Sequence, residues 1–208
     1  MISNHSIPEE LLRIGAVNIR PNQPYTWTSG MKSPIYCDNR LTMSYPLVRE
    51  QIVTALVEKI MTYYPDVEVI AGTATAGIPH AAWVADRLKL PMVYIRGEAK
   101  KYGTGKQIEG IFKNGAKVVV IEDLISTGQS VIQAVNAAKN LGAVVLGVAS
   151  IFLYELPISK CAFKEQNIDY HSVTDYTSLV QAALQTHRIE EADLEALEKW
   201  KKNPENWS

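Results

Sequence analysis

Cysteine is scarce in this chain: Cys37 and Cys161 are the only two, far apart and without a CxxC spacing. That excludes a disulfide framework and a cysteine-paired zinc site, and it suits a reducing cytoplasm. An excess of either charge is also missing. With 21 Lys and Arg against 22 Asp and Glu, the formal net charge is −1, which gives no global pull towards nucleic acid or an acidic membrane. No run approaches the roughly 18 apolar residues of a membrane span, and residues 1–13 lack the apolar core of a signal peptide. The expectation is a cytoplasmic protein with neither membrane nor nucleic acid as partner. The sequence holds no GxxxxGK[ST] phosphate loop and no GxGxxG opening a helix after a strand, which removes Walker-type and dinucleotide-binding readings. Internal repeats, low-complexity tracts and convincing Ser-His-Asp or Cys-His sets are absent as well.

What is present is a chain of 208 residues, 47% hydrophobic and 21% charged, enough for one domain, 1–208, with a full core. Ser6-Ile7-Pro8-Glu9 has the form of a capping box opening a helix to about Val17. Residues 18–43 read as irregular and polar, with extended pieces near Tyr25–Thr28 and Ser33–Asp38. Val48, Ile52, Val53, Leu56, Val57 and Ile60 recur at helical spacing, with Ser44 the expected cap. Strands are then expected at Val67–Ala71, Met92–Ile95, Val118–Ile121, Val144–Phe152 and about Ile168–Val173, with helices at Ile78–Leu88 and from Val131. Strands alternating with helices of this length predict an α/β fold, a mostly parallel sheet with helices on both faces. The charged segment 189–202 reads as a solvated helix without chemistry.

Residues 118–130 carry the most chemistry. Four apolar residues, Val118 to Ile121, read as a strand buried on both faces, and Glu122 and Asp123 follow at its carboxyl end. A small hydroxylated turn, Ser126-Thr127-Gly128-Gln129-Ser130, leads into a helical pattern. In open α/β sheets ligands bind beyond the carboxyl ends of strands, where a loop entering a helix offers free N–H groups to a phosphate. Paired carboxylates would repel a bare phosphate but suit sugar hydroxyls, so a phosphorylated ribose satisfies both halves. Gly72-Thr73-Ala74-Thr75-Ala76-Gly77-Ile78-Pro79 is a second strand-to-helix turn of small residues that lets a phosphate approach the backbone. Between them, Arg96 to Lys106 carries four cations and one anion with three glycines, a loop able to close on a departing anion.

The 118–130 segment resembles the phosphoribosyl pyrophosphate (PRPP) signature of the type I phosphoribosyltransferases. The loop pattern Arg96-x-x-x-Lys100-x-Tyr102-Gly103 is similar to the catalytic loop of the orotate phosphoribosyltransferase family, and Lys106-Gln107-Ile108-Glu109-Gly110 fits its end. Tyr25-Thr26-Trp27-Thr28-Ser29-Gly30-Met31-Lys32-Ser33-Pro34 matches the family's N-terminal hood segment. The match runs from about residue 10 to 180. It implies the type I fold with residues 1–43 contributing the hood, and transfer of ribose 5-phosphate from PRPP to orotate in UMP synthesis.

By this resemblance Arg96, Lys100 and Asp123 are catalytic. PRPP contacts fall on Thr73, Ala74, Thr75, Arg96, Lys100, Lys101, Tyr102, Glu122, Asp123 and the run Leu124, Ile125, Ser126, Thr127, Gly128, Gln129, Ser130. Orotate contacts fall on Ser126, Lys32 and Tyr36. Mg²⁺ is the implied cofactor, bridging pyrophosphate and ribose oxygens with no dedicated protein ligands. A homodimer is implied too, because the family's loop reaches into the neighbouring subunit's site.

The chain departs from the family at five positions. Tyr102 stands where many relatives have histidine, and a phenol of pKa about 10 is no proton donor near neutrality. Some relatives have a lysine at Thr28 and an arginine near Tyr154 for the orotate carboxylate, and others an aromatic and a lysine at Thr75 and Ala76. His80, beside the pyrophosphate turn, is read as a helix-packing residue. Two rivals remain open at this point: transfer to another nucleobase, and a nucleic-acid-binding regulator on the same fold.

Overall fold

The computed structural model describes residues 5–27, 30–97 and 107–207. In chain order the elements are α1 (Ile7–Arg13), β1 (Val17–Ile19), β2 (Tyr25–Thr26), β3 (Lys32–Ser33), β4 (Ile35–Cys37), a 3₁₀ helix (Asn39–Ser44), α2 (Pro46–Tyr63), β5 (Val69–Thr73), α3 (Gly77–Leu88), β6 (Met92–Ile95), β7 (Ile108–Glu109), β8 (Lys117–Ile125), α4 (Gln129–Asn140), β9 (Val144–Leu153), α5 (Pro157–Glu165), β10 (Tyr170–Asp175), α6 (Tyr176–Gln185), α7 (Glu191–Lys202) and a closing 3₁₀ turn (Pro204–Asn206).

A six-stranded sheet in the order β10-β9-β8-β5-β6-β7 forms the centre. Its strands run parallel except β7, which pairs antiparallel with β6. The expected α/β fold with a mostly parallel sheet is therefore borne out. The apolar run of β8 shows why its strands are hydrophobic throughout. Val119 and Ile121 join a core cluster with α1, α2, α3 and α6, while Val118 and Val120 join another with α4 and α5. Each face of the sheet is covered by helices, so successive side chains are both buried.

Several boundaries differ from the sequence reading. The first helix stops at Arg13, because Gly15 takes φ +74° and turns the chain into β1, where Val17 pairs with Cys37 of β4. The capping box at Ser6 and Glu9 is present. Tyr45, not Ser44, precedes α2; Ser44 closes the 3₁₀ turn and Pro46 occupies the first helical turn, where its missing N–H costs nothing. The acid pair lies inside β8, which runs on to Ile125, and Gly72 and Thr73 belong to β5 rather than to the following loop. Gln129 and Ser130 already lie in α4.

The N-terminal part forms two small antiparallel sheets, β1–β4 and β2–β3. Leu11, Leu12, Val17 and Ile35 share one buried cluster with Phe152, Tyr154, Leu179 and Trp200. The 189–202 segment is a helix, as expected, but not a merely solvated one: Trp200 is fully buried. No helix among the described residues is long and apolar enough to cross a membrane.

Candidate active site

From β5 the chain winds to β6 on one side, and from β8 to β9 on the other, so the crevice between the carboxyl ends of β5 and β8 is a topological switch point. The acid pair stands there. Thr73, the last residue of β5, donates its hydroxyl towards Glu122 Oε1 at 2.8 Å and towards the Ile121 carbonyl at 3.1 Å. The Asp123 amide donates to the same Glu122 oxygen at 3.0 Å. Gly77 makes this closeness possible, since a Cβ there would lie 2.5 Å from Thr73 Oγ1 and 2.6 Å from the Ile121 carbonyl.

Glu122 is 6% exposed. Burial, reinforced by the Asp123 carboxylate beside it, pushes its carboxyl up to about 8. Burial also raises Asp123, against the opposing pull of the Arg40 guanidinium. Two carboxylates held this close keep a proton between them at neutral pH unless hydroxyls or a cation arrive to solvate them. Arg40 is itself gripped by Asp38, with Nε 2.6 Å from Oδ1 and Nη2 2.8 Å from Oδ2.

Two loops flank the pair. Gly128 takes φ +83° at the start of α4, and its lack of a Cβ avoids Phe163 Cε2, which would lie 2.9 Å away. It brings no capping side chain to the first amides of the helix, which leaves them facing the crevice side of the turn for an anion. Ser126 and Thr127 are half-buried beside it, whereas Ile125 is buried and presents only backbone. On the other side Ala74 and Thr75 are exposed, joined by a cis peptide bond, and α3 follows from an Ala76 cap.

Arg96 follows β6 at the same edge, with Nη1 4.0 Å from Glu109 Oε1. Its amide donates to the Gln107 carbonyl at 2.9 Å, and Gln107 Nε2 donates back to the Arg96 carbonyl at 3.0 Å. The two ends of the cationic segment are thus tied together at a stem. Lys100, Lys101, Tyr102 and Lys106, like Thr28 of the hood, lie outside the described residues. Of the base-side positions, Lys32 is exposed with Nζ 2.8 Å from Thr26 Oγ1, and Tyr36 is exposed with its ring 5.4 Å from Tyr25.

Residues 47–181 match the family described as the phosphoribosyl transferase domain. Over 201 residues the chain is 59% identical to an orotate phosphoribosyltransferase of Enterococcus faecalis, spanning 97% of this chain and 96% of that protein. The chain belongs to the orotate phosphoribosyltransferase family. It is also 55% identical over 203 residues to the Bacillus caldolyticus orotate phosphoribosyltransferase, covering 98% of each. The fold agrees with the crystal structure of the Aeropyrum pernix orotate phosphoribosyltransferase, with a TM-score of 0.76 at 24% identity over 88% of this chain and 99% of that one. The type I phosphoribosyltransferase fold and the family resemblance read from the four segments are both borne out.

One residue absent from the sequence reading supports the acid pair. Asn39, fully buried, donates from Nδ2 to the Asp123 carbonyl at 2.6 Å and accepts the Cys37 thiol at 3.4 Å. It fixes the acid-pair strand to the segment just after β4. Its signal in the sequence was one asparagine in a polar stretch, with nothing to pair it to a residue 84 positions away. Cys37 is held as the thiol by burial and by the neighbouring Asp123 and Asp38 carboxylates. His80 is fully buried, edge-on to Trp83, and burial with the nearby Arg49 charge lowers it to about 4. It is neutral at physiological pH and packs α3, as expected.

Proposed function

We propose that the protein transfers the ribose 5-phosphate group of PRPP to orotate, giving orotidine 5′-monophosphate and pyrophosphate in pyrimidine nucleotide synthesis. The observation that carries this reading is the buried acid pair at the β5–β8 switch point, flanked by two helix-opening turns, in a chain of this family. Ribose hydroxyls donate to Glu122 and Asp123 and satisfy acceptors that are otherwise crowded together. Amides around Ser126, Thr127, Gly128, Gln129 and Ser130, with backbone at Leu124 and Ile125, hold the 5′-phosphate. Thr73, Ala74 and Thr75 offer backbone to the pyrophosphate.

As the bond from C1 to the pyrophosphate oxygen breaks, positive charge gathers on the ribose ring and negative charge on the leaving group. Asp123 places a carboxylate near the first, and Arg96, Lys100 and Lys101 receive the second. Orotate enters against the hood, near Lys32, Tyr36 and Ser126, and its ring nitrogen attacks C1. Positioning and electrostatics supply the rate, since no covalent nucleophile takes part.

Among the described residues no three or more His, Cys, Asp or Glu side chains gather into a metal-holding group. Glu122 and Asp123 are the carboxylates that would face a hard cation carried in with PRPP. Mg²⁺ bound there would supply charge neutralisation for pyrophosphate. The reading extends to a single cytoplasmic domain whose residues 1–43 form the hood, and to a homodimer in which the loop after Arg96 completes the partner subunit's site.

A panel of orotate, uracil, xanthine, hypoxanthine and adenine, each with PRPP and Mg²⁺ and pyrophosphate release as readout, tests the assignment. Turnover is expected with orotate alone. Turnover with another base in preference to orotate overturns it.

A further inference from the structure

The β2–β3 hairpin that carries Lys32 has two residues in each strand and only its own partner for pairing. So short a hairpin does not hold its position unaided. The support comes from the far end of the chain. Trp200 of α7, fully buried, donates its indole N–H to the Lys32 backbone carbonyl at 2.8 Å, across 168 residues. The Trp200 ring also stands in an aromatic cluster beneath the hairpin. Its centroid is 5.4 Å from Tyr176, 6.0 Å from Tyr154 and 6.1 Å from Trp27, and Trp27 meets Tyr154 edge-on at 5.2 Å. Trp27 belongs to the hood and Tyr154 directly follows β9, so the cluster seats the hairpin against the sheet edge.

A latch fixes α7 itself. The next residue, Lys201, puts Nζ 2.6 Å from Glu155 Oε2 and 2.7 Å from Thr177 Oγ1, and Glu155 directly follows Tyr154. The Tyr176 hydroxyl donates to the Leu197 carbonyl at 2.8 Å. A helix end is thereby tied to the end of β9 and to the start of α6, and it presents a single directed donor to the strand bearing the base-side lysine.

We propose that Trp200 is a positioning residue for the base subsite. By holding the Lys32 carbonyl it fixes where the hairpin stands over the crevice, and through it the distance between orotate and the ribose held by β8. This rests on the proposed reaction, in which the hood faces the base. The bond touches no part of the acid pair or the phosphate turns, so its removal acts on one substrate and not on the other.

The test is Trp200→Phe, which keeps an aromatic ring in the cluster and removes the donor, with KM measured separately for each substrate. The expected result is an orotate KM raised about tenfold, a PRPP KM within about twofold of wild type, and a melting temperature within a few degrees. An unchanged orotate KM, or an equal rise in both KM values, overturns the positioning role. Should Trp200→Phe fail to fold, Lys201→Met decides: it loosens the latch and leaves the ring, and orotate KM should rise about threefold with PRPP KM unchanged. No change there also overturns the proposal. A wild-type protein inactive with orotate and PRPP sinks the proposed reaction instead, which separates the two failures.

Discussion

At the scale of single residues, the proposed chemistry rests on two adjacent carboxyls that burial has made reluctant to ionise together. Asp123→Asn preserves shape and removes the charge beside the ribose. It should keep the fold and lower turnover or PRPP affinity by at least tenfold, about 1.4 kcal/mol. Wild-type kinetics in a folded Glu122→Gln, Asp123→Asn double variant would refute the assignment. Glu122 also makes a prediction about stability. Its carboxyl is raised from the ordinary 4.5 to about 8, so between those pH values the folded chain keeps a proton that the unfolded chain has released. Stability of the substrate-free protein is therefore whole below about pH 4.5 and declines as pH climbs through 8. Glu122→Gln imitates the protonated acid and cannot titrate. Its melting temperature should exceed that of wild type at pH 8 and change less between pH 5 and 8; identical profiles would show that the carboxyl is not raised.

Among the elements, the cationic segment after β6 is where the proposed reaction puts its leaving-group chemistry, and its ends are closed by Arg96 and Gln107. Tyr102 stands where the resemblance expects a histidine, and an ordinary phenol, of pKa about 10, is a far weaker acid than an imidazolium. Tyr102→Phe should then retain most turnover, while Lys100→Ala should lose on the order of a hundredfold, about 2.7 kcal/mol of transition-state stabilisation. Equal and severe losses in both would make the phenol a catalytic group. The elements also show what could be read in advance. The strands β6, β8 and β9 and the helices α3 and α4 were legible because an apolar run or a 3.6-residue period is a local signal. The same holds for the acid pair and the two helix-opening turns beside it, whose residue types sit together in sequence. Asn39 and Trp200 were not legible, since each acts through one hydrogen bond to a strand 84 or 168 residues away. The end of α1 was misjudged because Gly15 could be weighed as a turn only once β1 had a partner in β4.

For the whole molecule, the proposed homodimer, in which the segment after Arg96 completes the partner subunit's site, predicts complementation. Lys100→Ala and Asp123→Asn proteins, each inactive alone, should recover partial activity when mixed and allowed to exchange subunits. One of the two sites in a mixed dimer then receives an intact loop and an intact acid pair. Exchange without recovery would mean that each chain builds its own site.

The bond from Trp200 to Lys32 bears on synthesis as well as on binding. A growing polypeptide emerges from its amino end, and at about 5–20 residues per second the hairpin waits roughly ten to thirty seconds for its donor. Until then the sheet, the acid pair and both helix-opening turns can assemble, yet the β2–β3 hairpin stays unseated. A ribosome-stalled chain ending before α7 should therefore protect its central strands from proteases while leaving the segment around Lys32 open to cleavage. The fold in this sense finishes the crevice around its acid pair first and the seat of its hairpin last.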